Sequence, residues 1–144
     1  MKTYETHALG FPIIVVNPKF KTRAGQKTLD INFDSLSEKA FLAVLRKPGR
    51  LTGGEIKFLR GILGLNQTEF AHTMGLKGHS QVSKWEKAPG KVTRMSVHQE
   101  YAIRIKSLRM KDIRATNAIV DIFDELKKAT GPGESIEINS KDVA

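Results

Sequence analysis

The chain has 144 residues, 40% of them apolar and 27% charged, with 24 Lys and Arg against 15 Asp and Glu, a net charge of +9 and no cysteine. That balance suits a soluble globular unit, or a small core with an accessory element, rather than a disordered or fibrous chain. Lack of cysteine excludes a disulfide framework, a thiolate nucleophile and cysteine-held zinc, and the apolar run Phe11 to Val16, broken by Pro12, is too short for a signal-peptide core or a membrane span.

In chain order, the β-branched run Ile13 to Val16 predicts a strand. After a basic loop containing Gly25, the alternation Leu29, Ile31, Phe33 predicts a second, so residues 11–33 read as a hairpin or small sheet. Ser35 with Glu38 fits a capping box opening a helix through Leu36, Ala40, Phe41, Leu42 and Leu45, which ends before Pro48-Gly49. Thr52 with Glu55 opens a second helix, carrying Ile56, Leu59 and Leu63 on one face and ending at Gly64. Asn66 with Glu69 opens a third, which Gly75 stops.

A short helix from His79 or Ser80 to about Lys87 follows, and Ala88-Pro89-Gly90 breaks it. Helical spacing recurs over Thr93 to Met110 and over Ile113 to Lys128, where Ile119, Val120, Ile122, Phe123 and Leu126 form a stripe. Residues 131–144 read as a flexible tail. Positive charge exceeds negative throughout residues 1–130 but not in this tail. Such an excess suits a polyanion partner, because neutralised phosphates release condensed counterions; a merely solvated basic surface is the alternative.

The informative stretch is Leu59 to Glu86, LRGILGLNQTEFAHTMGLKGHSQVSKWE. A helix-turn-helix needs a small residue where its two helices approach, a residue tolerant of positive φ in the turn, and an apolar residue facing back into the angle. Ala71, Gly75 and Val82 supply these in order. With Leu63-Gly64-Leu65-Asn66-Gln67 and Val82-Ser83-Lys84-Trp85-Glu86, the segment resembles the helix-turn-helix of the Cro/repressor (XRE-type) regulators. More loosely, the N-terminal β element, linking helix, KPGRLTGGEIKFLR stretch and helical end resemble the MqsA-like regulators, several of which are antitoxins. The Cys pairs of that group's zinc-binding domain are missing here.

The resemblance implies an α+β fold: a small N-terminal β element and linker helix over 1–50, serving dimerisation or partner binding, then an all-helical, lambda-repressor-like bundle over 51–130. In such a motif the helix after the turn, here the short one from His79 or Ser80 to about Lys87, lies in the major groove, which makes His79, Ser80, Gln81, Ser83 and Lys84 candidate base readers, with Gln81 toward the flank. Asn66 and Gln67, at a helix start where free N–H groups favour anions, and Lys87, Lys91 and Arg94, beyond the recognition helix, are candidate phosphate contacts. Arg60 and Glu86 are implied to form a structural ion pair rather than a catalytic one. Gly75 to Val82 is one residue longer than the usual family spacing, with Gly78 in the extension, which puts the recognition-helix register in question.

Nothing else in the chain spells out chemistry. His7, His72, His79 and His98 lack metal-ligand spacing, no phosphate-loop motif occurs among the glycines, and Asp121, Asp124 and Glu125 read as a solvated helix face. The expectation is therefore a non-enzymatic, cofactor-free and metal-free regulator of transcription, most simply a repressor. It would be cytoplasmic and nucleoid-associated, and would bind double-stranded DNA as a homodimer on an inverted repeat. The rival readings are an antitoxin that neutralises a protein toxin and autoregulates its operon, and a basic surface that binds nucleic acid without sequence choice.

Overall fold

The computed structural model describes residues 2–114, 119 and 121–144. Strands β1 (Thr3–Thr6) and β2 (Ile13–Val16) pair antiparallel. β2 is an unbroken apolar run with Ile13 and Val15 fully buried on one face, as suits the central strand of a sheet. Its second neighbour comes from the far end of the chain: β5 (Ile136–Asn139) pairs parallel to β2, Ile13 opposite Ile136 and Val16 opposite Asn139, giving the order β1-β2-β5. A one-turn 3-10 helix, Ser140–Val143, closes the chain. There Val143 carbonyl accepts from Asn32 N–H at 2.7 Å, and Ser140 hydroxyl donates to Asn17 carbonyl.

This arrangement overturns the expected fold class of an N-terminal β element followed by an all-helical bundle. The fold is α+β, but its sheet is closed by a C-terminal strand, and the helices are inserted between two neighbouring strands. The supposed flexible tail carries Ile136 and Ile138 inward and Glu137 outward, a period-2 pattern only four residues long. Its partner lies some 120 residues away in sequence, beyond the reach of any local pattern.

Strands β3 (Phe20–Arg23) and β4 (Gln26–Leu29) form a separate hairpin. The expected strand through Leu29, Ile31 and Phe33 stops at Leu29, because Asn32 accepts from Ser35 N–H at 3.0 Å and starts helix α1 (Phe33–Arg46). Asn32 thereby displaces the expected Ser35–Glu38 cap and leaves Phe33 exposed. Helices α2 (Gly53–Leu63), α3 (Gln67–Met74), α4 (His79–Glu86) and α5 (Val97–Met110) follow, α5 being capped by Ser96. An unbroken helix over 113–128 does not form: Asp112 has φ 53°, Ile113 and Arg114 are not helical, and α6 spans only Phe123–Lys128. Val120 lies outside the described residues; Ile119 is buried.

A buried charge cluster joins α5 to the end of α1 and the segment that follows it. Arg104 of α5, fully buried, donates to the carbonyls of Leu45 (3.0 Å), Lys47 (2.6 Å) and Gly49 (2.7 Å), supplying partners at the end of α1. It also pairs with Glu100 at 3.2 Å, whose other oxygen accepts from Arg50 at 3.2 Å and from Leu51 N–H at 2.9 Å. Lys47 meets Glu55 at 2.6 Å and donates to Pro132 carbonyl at 3.0 Å. Burial holds the Lys47 ammonium and the Arg104 guanidinium below their ordinary values, despite the carboxylates beside them.

Candidate nucleic-acid interface

Two complete capping boxes set the geometry of the central helices. Thr52 accepts from Glu55 N–H while Glu55 accepts from Thr52 N–H; Asn66 and Glu69 reciprocate in the same way at the start of α3. Gly64 (φ 70°) ends α2 and Gly75 (φ 71°) ends α3, both left-handed, a conformation that favours glycine. Ala71 and Val82 are buried with Leu59, Phe70, Met74 and Trp85, which fills the angle between α3 and α4.

The base of α4 is clamped to α2. Arg60 donates to both oxygens of Glu86, at 2.7 and 2.8 Å, and also to Leu65 carbonyl at 3.0 Å. Burial alone would push Glu86 upward. The hydrogen bonds from Arg60 and Gln67, with the charges of Arg60 and Lys57, outweigh it and hold the carboxyl below the ordinary carboxylate value. Helix α2 also meets α4 backbone to backbone: a Cβ on Gly53 would stand 1.9 Å from Trp85 carbonyl oxygen.

On the outer side of α4, His79, Ser80 and Lys84 are exposed, and Ser83 is half-buried. Ser80, Lys84 and Lys87 follow one another at i, i+4 and i+7, along one face of the helix and its cap. Gly78 precedes the helix in extended backbone (φ 169°) with room around it, and no side chain caps the first turn of α4.

Two assignments change. The carboxamide oxygen of Gln81 is buried without a hydrogen-bond partner, so Gln81 does not present that oxygen to a base edge. Gln67 donates its amide to Glu86 at 3.2 Å, which makes it part of the clamp rather than a free phosphate ligand. Asn66 is exposed, with its carbonyl oxygen committed to capping.

Beyond α4 the chain is pinned by backbone bonds: Gly53 N–H to Lys91 carbonyl, Gly54 N–H to Pro89 carbonyl, both at 3.0 Å, and Thr93 N–H to Leu51 carbonyl at 3.1 Å. This loop holds Lys87, Lys91 and Arg94 (φ 60°) exposed at its surface. Lys77, exposed in the α3–α4 turn, joins them; turn spacing alone assigned it no role.

Elsewhere, a groove of about 610 Å³ between α1 and the end of α2, lined by Asp34, Glu38, Phe41, Leu42, Ile62 and Lys111 among others, shares no residue with α3 or α4. Among the described residues no three of His, Asp and Glu group closely enough to hold a metal ion, and no helix is long and apolar enough to cross a membrane. No protein-family model, curated protein or solved structure matches the chain. The likeness to helix-turn-helix regulators therefore rests on residues 59–86 themselves.

Proposed function

We propose that the protein is a sequence-specific double-stranded-DNA-binding regulator of transcription, a binding protein without catalytic chemistry, which acts as a repressor by occupying a promoter at the nucleoid. The observation that carries this reading is α4. Its inner face is locked by Val82, Trp85 and the Arg60–Glu86 clamp, while His79, Ser80 and Lys84 are exposed and flanked by Lys77, Lys87, Lys91 and Arg94. A rigid helix with short polar and cationic ends outward, rimmed by cations, matches what the major groove and its phosphates require. One eight-residue helix reads only a few base pairs, so the reading includes a homodimer on an inverted repeat, with half-sites about one turn (~34 Å) apart.

The test is fluorescence anisotropy on the protein's own upstream DNA and on a shuffled duplex, at several salt concentrations. A preference of ~10³-fold or more at physiological salt is expected. Lys84→Ala is expected to relax that preference at one base pair by ~1–3 kcal/mol. Equal binding of all duplexes would overturn the reading.

A further inference from the structure

The β3–β4 hairpin contributes little to the core. Of its eight strand residues only Lys21 and Leu29 are half-buried and the rest are exposed, although isolated two-stranded ribbons are marginal in water. What it presents is charge. Lys19, Lys21, Arg23 and Lys27 fall within nine residues that hold no Asp or Glu. The strand register puts Lys21 and Arg23 on one face and Lys27 on the other, around an exposed Ala24-Gly25 tip with both φ values positive (48° and 78°). Lys21 is partly offset by Asp30 at 3.6 Å; among the described residues Lys19 and Arg23 make no ion pair. The exposed rings at its base are already engaged: Tyr4 and Phe20 meet edge to face at 5.3 Å, and Lys27 lies 4.9 Å from the centre of the Phe20 ring. Cations, rather than free aromatic faces, are therefore the surface on offer.

We propose that this hairpin is a second DNA-contacting element, a basic ribbon whose Lys19, Arg23 and Lys27 bind the phosphate backbone of the same duplex outside the α4 half-site. The inference rests on the DNA-binding reading above, because a second contact on one duplex is intramolecular and adds affinity without adding specificity. Reach permits it. The β1–β2 turn lies beside the loop after α4, since a Cβ on Gly54 would sit 2.5 Å from Gly10 carbonyl and 3.2 Å from Pro89 carbonyl. The chain from Gly10 to the hairpin tip spans at most roughly 50 Å at ~3.3 Å per residue, about one and a half turns of B-DNA. Charged edges also discourage strand-to-strand association, but that role would leave DNA binding unmoved when the charges are removed.

The experiment uses the full chain carrying Lys19→Gln, Arg23→Gln and Lys27→Gln, with Lys19→Arg plus Lys27→Arg as the charge-retaining control and circular dichroism to confirm folding. Binding is titrated on upstream duplex, shuffled duplex and single-stranded oligonucleotide. Expected are a roughly tenfold or greater fall in affinity for both duplexes at low salt, an unchanged ratio between them, and a salt slope shallower by about 0.9 for each phosphate no longer neutralised. Hydroxyl-radical protection should vanish at a flank and persist at the half-site. Unchanged duplex affinity and slope, or a weakening confined to single strands, would overturn the hairpin's role while leaving the function of α4 to its own test. If wild type binds all duplexes equally and the variant weakens all of them, the hairpin proposal stands and sequence-specific regulation falls. If wild type binds no duplex, both fall.

Discussion

Single residues set how rigidly α4 is presented. Because Glu86 has a folded-state value below its ordinary 4.5, the folded protein binds fewer protons than the unfolded chain in that range. Its contribution is thus fully present above about pH 4.5 and is lost as pH falls through the folded value. In urea melts, the stability gap between wild type and Glu86→Gln should be widest at neutral pH and close progressively below 4.5. A gap independent of pH would show that the clamp's charge is irrelevant. Gly53 acts through space rather than φ. Its missing side chain lets α2 lie against the Trp85 carbonyl, so Gly53→Ala must separate two backbones and should cost ~1–3 kcal/mol or more, read as a lower urea midpoint. At Gly61, where nothing lies within 4 Å of an added Cβ, alanine should be neutral or stabilising by up to ~1 kcal/mol, which makes it the matched control.

Among the elements, α4 starts less self-sufficiently than the two helices before it. α2 and α3 carry full capping boxes; α4 begins at Gly78 with no side-chain cap. Its N–H groups are therefore left to water or to an anion. Gly78→Asp would cap the helix in a conformation open to any residue, and should raise stability by a few tenths of a kcal/mol. The same carboxylate would repel a phosphate at the helix start, so DNA affinity should fall while thermal stability rises. Parallel melting and anisotropy titrations separate the two effects, and a variant gaining in both would remove α4's first turn from the interface. The hairpin is a different kind of element: among the described residues, Leu29 is its one apolar side chain packed against the core.

For the molecule as a whole, strands from the two ends of the chain form one sheet, which ties the helices inserted between them into a single frame. Removing residues 135–144 would strip β2 of its parallel neighbour and take Ile136, Ile138 and Val143 from the core. With burial of each such side chain worth about 1.5–3 kcal/mol, the deletion should cost several kcal/mol or prevent folding, visible in denaturant melts. A dispensable tail would leave the melt unchanged. The Arg104–Glu100–Arg50 cluster has a related role: it fixes the segment between α1 and α2 against α5.

Much of the central motif was legible in the chain itself, because its determinants are local. Thr52/Glu55 and Asn66/Glu69 sit three residues apart, Gly64 and Gly75 end helices by their own backbone freedom, and Val82 and Trp85 share a face at helical spacing. Each of these signals acts within one or two turns. Arg104 and Glu100 gave no such sign, since an i, i+4 pair on a helix ordinarily faces water and only packing placed it beside the open carbonyls of α1. Gln67 likewise took its orientation from Glu86, across the angle of the motif. The strand Ile136–Asn139 was too short to stand out against a polar terminal segment. Its pairing with Ile13–Val16 was decided by the tertiary structure alone, because a parallel ladder between chain ends depends on burial that exists only once both segments have come together.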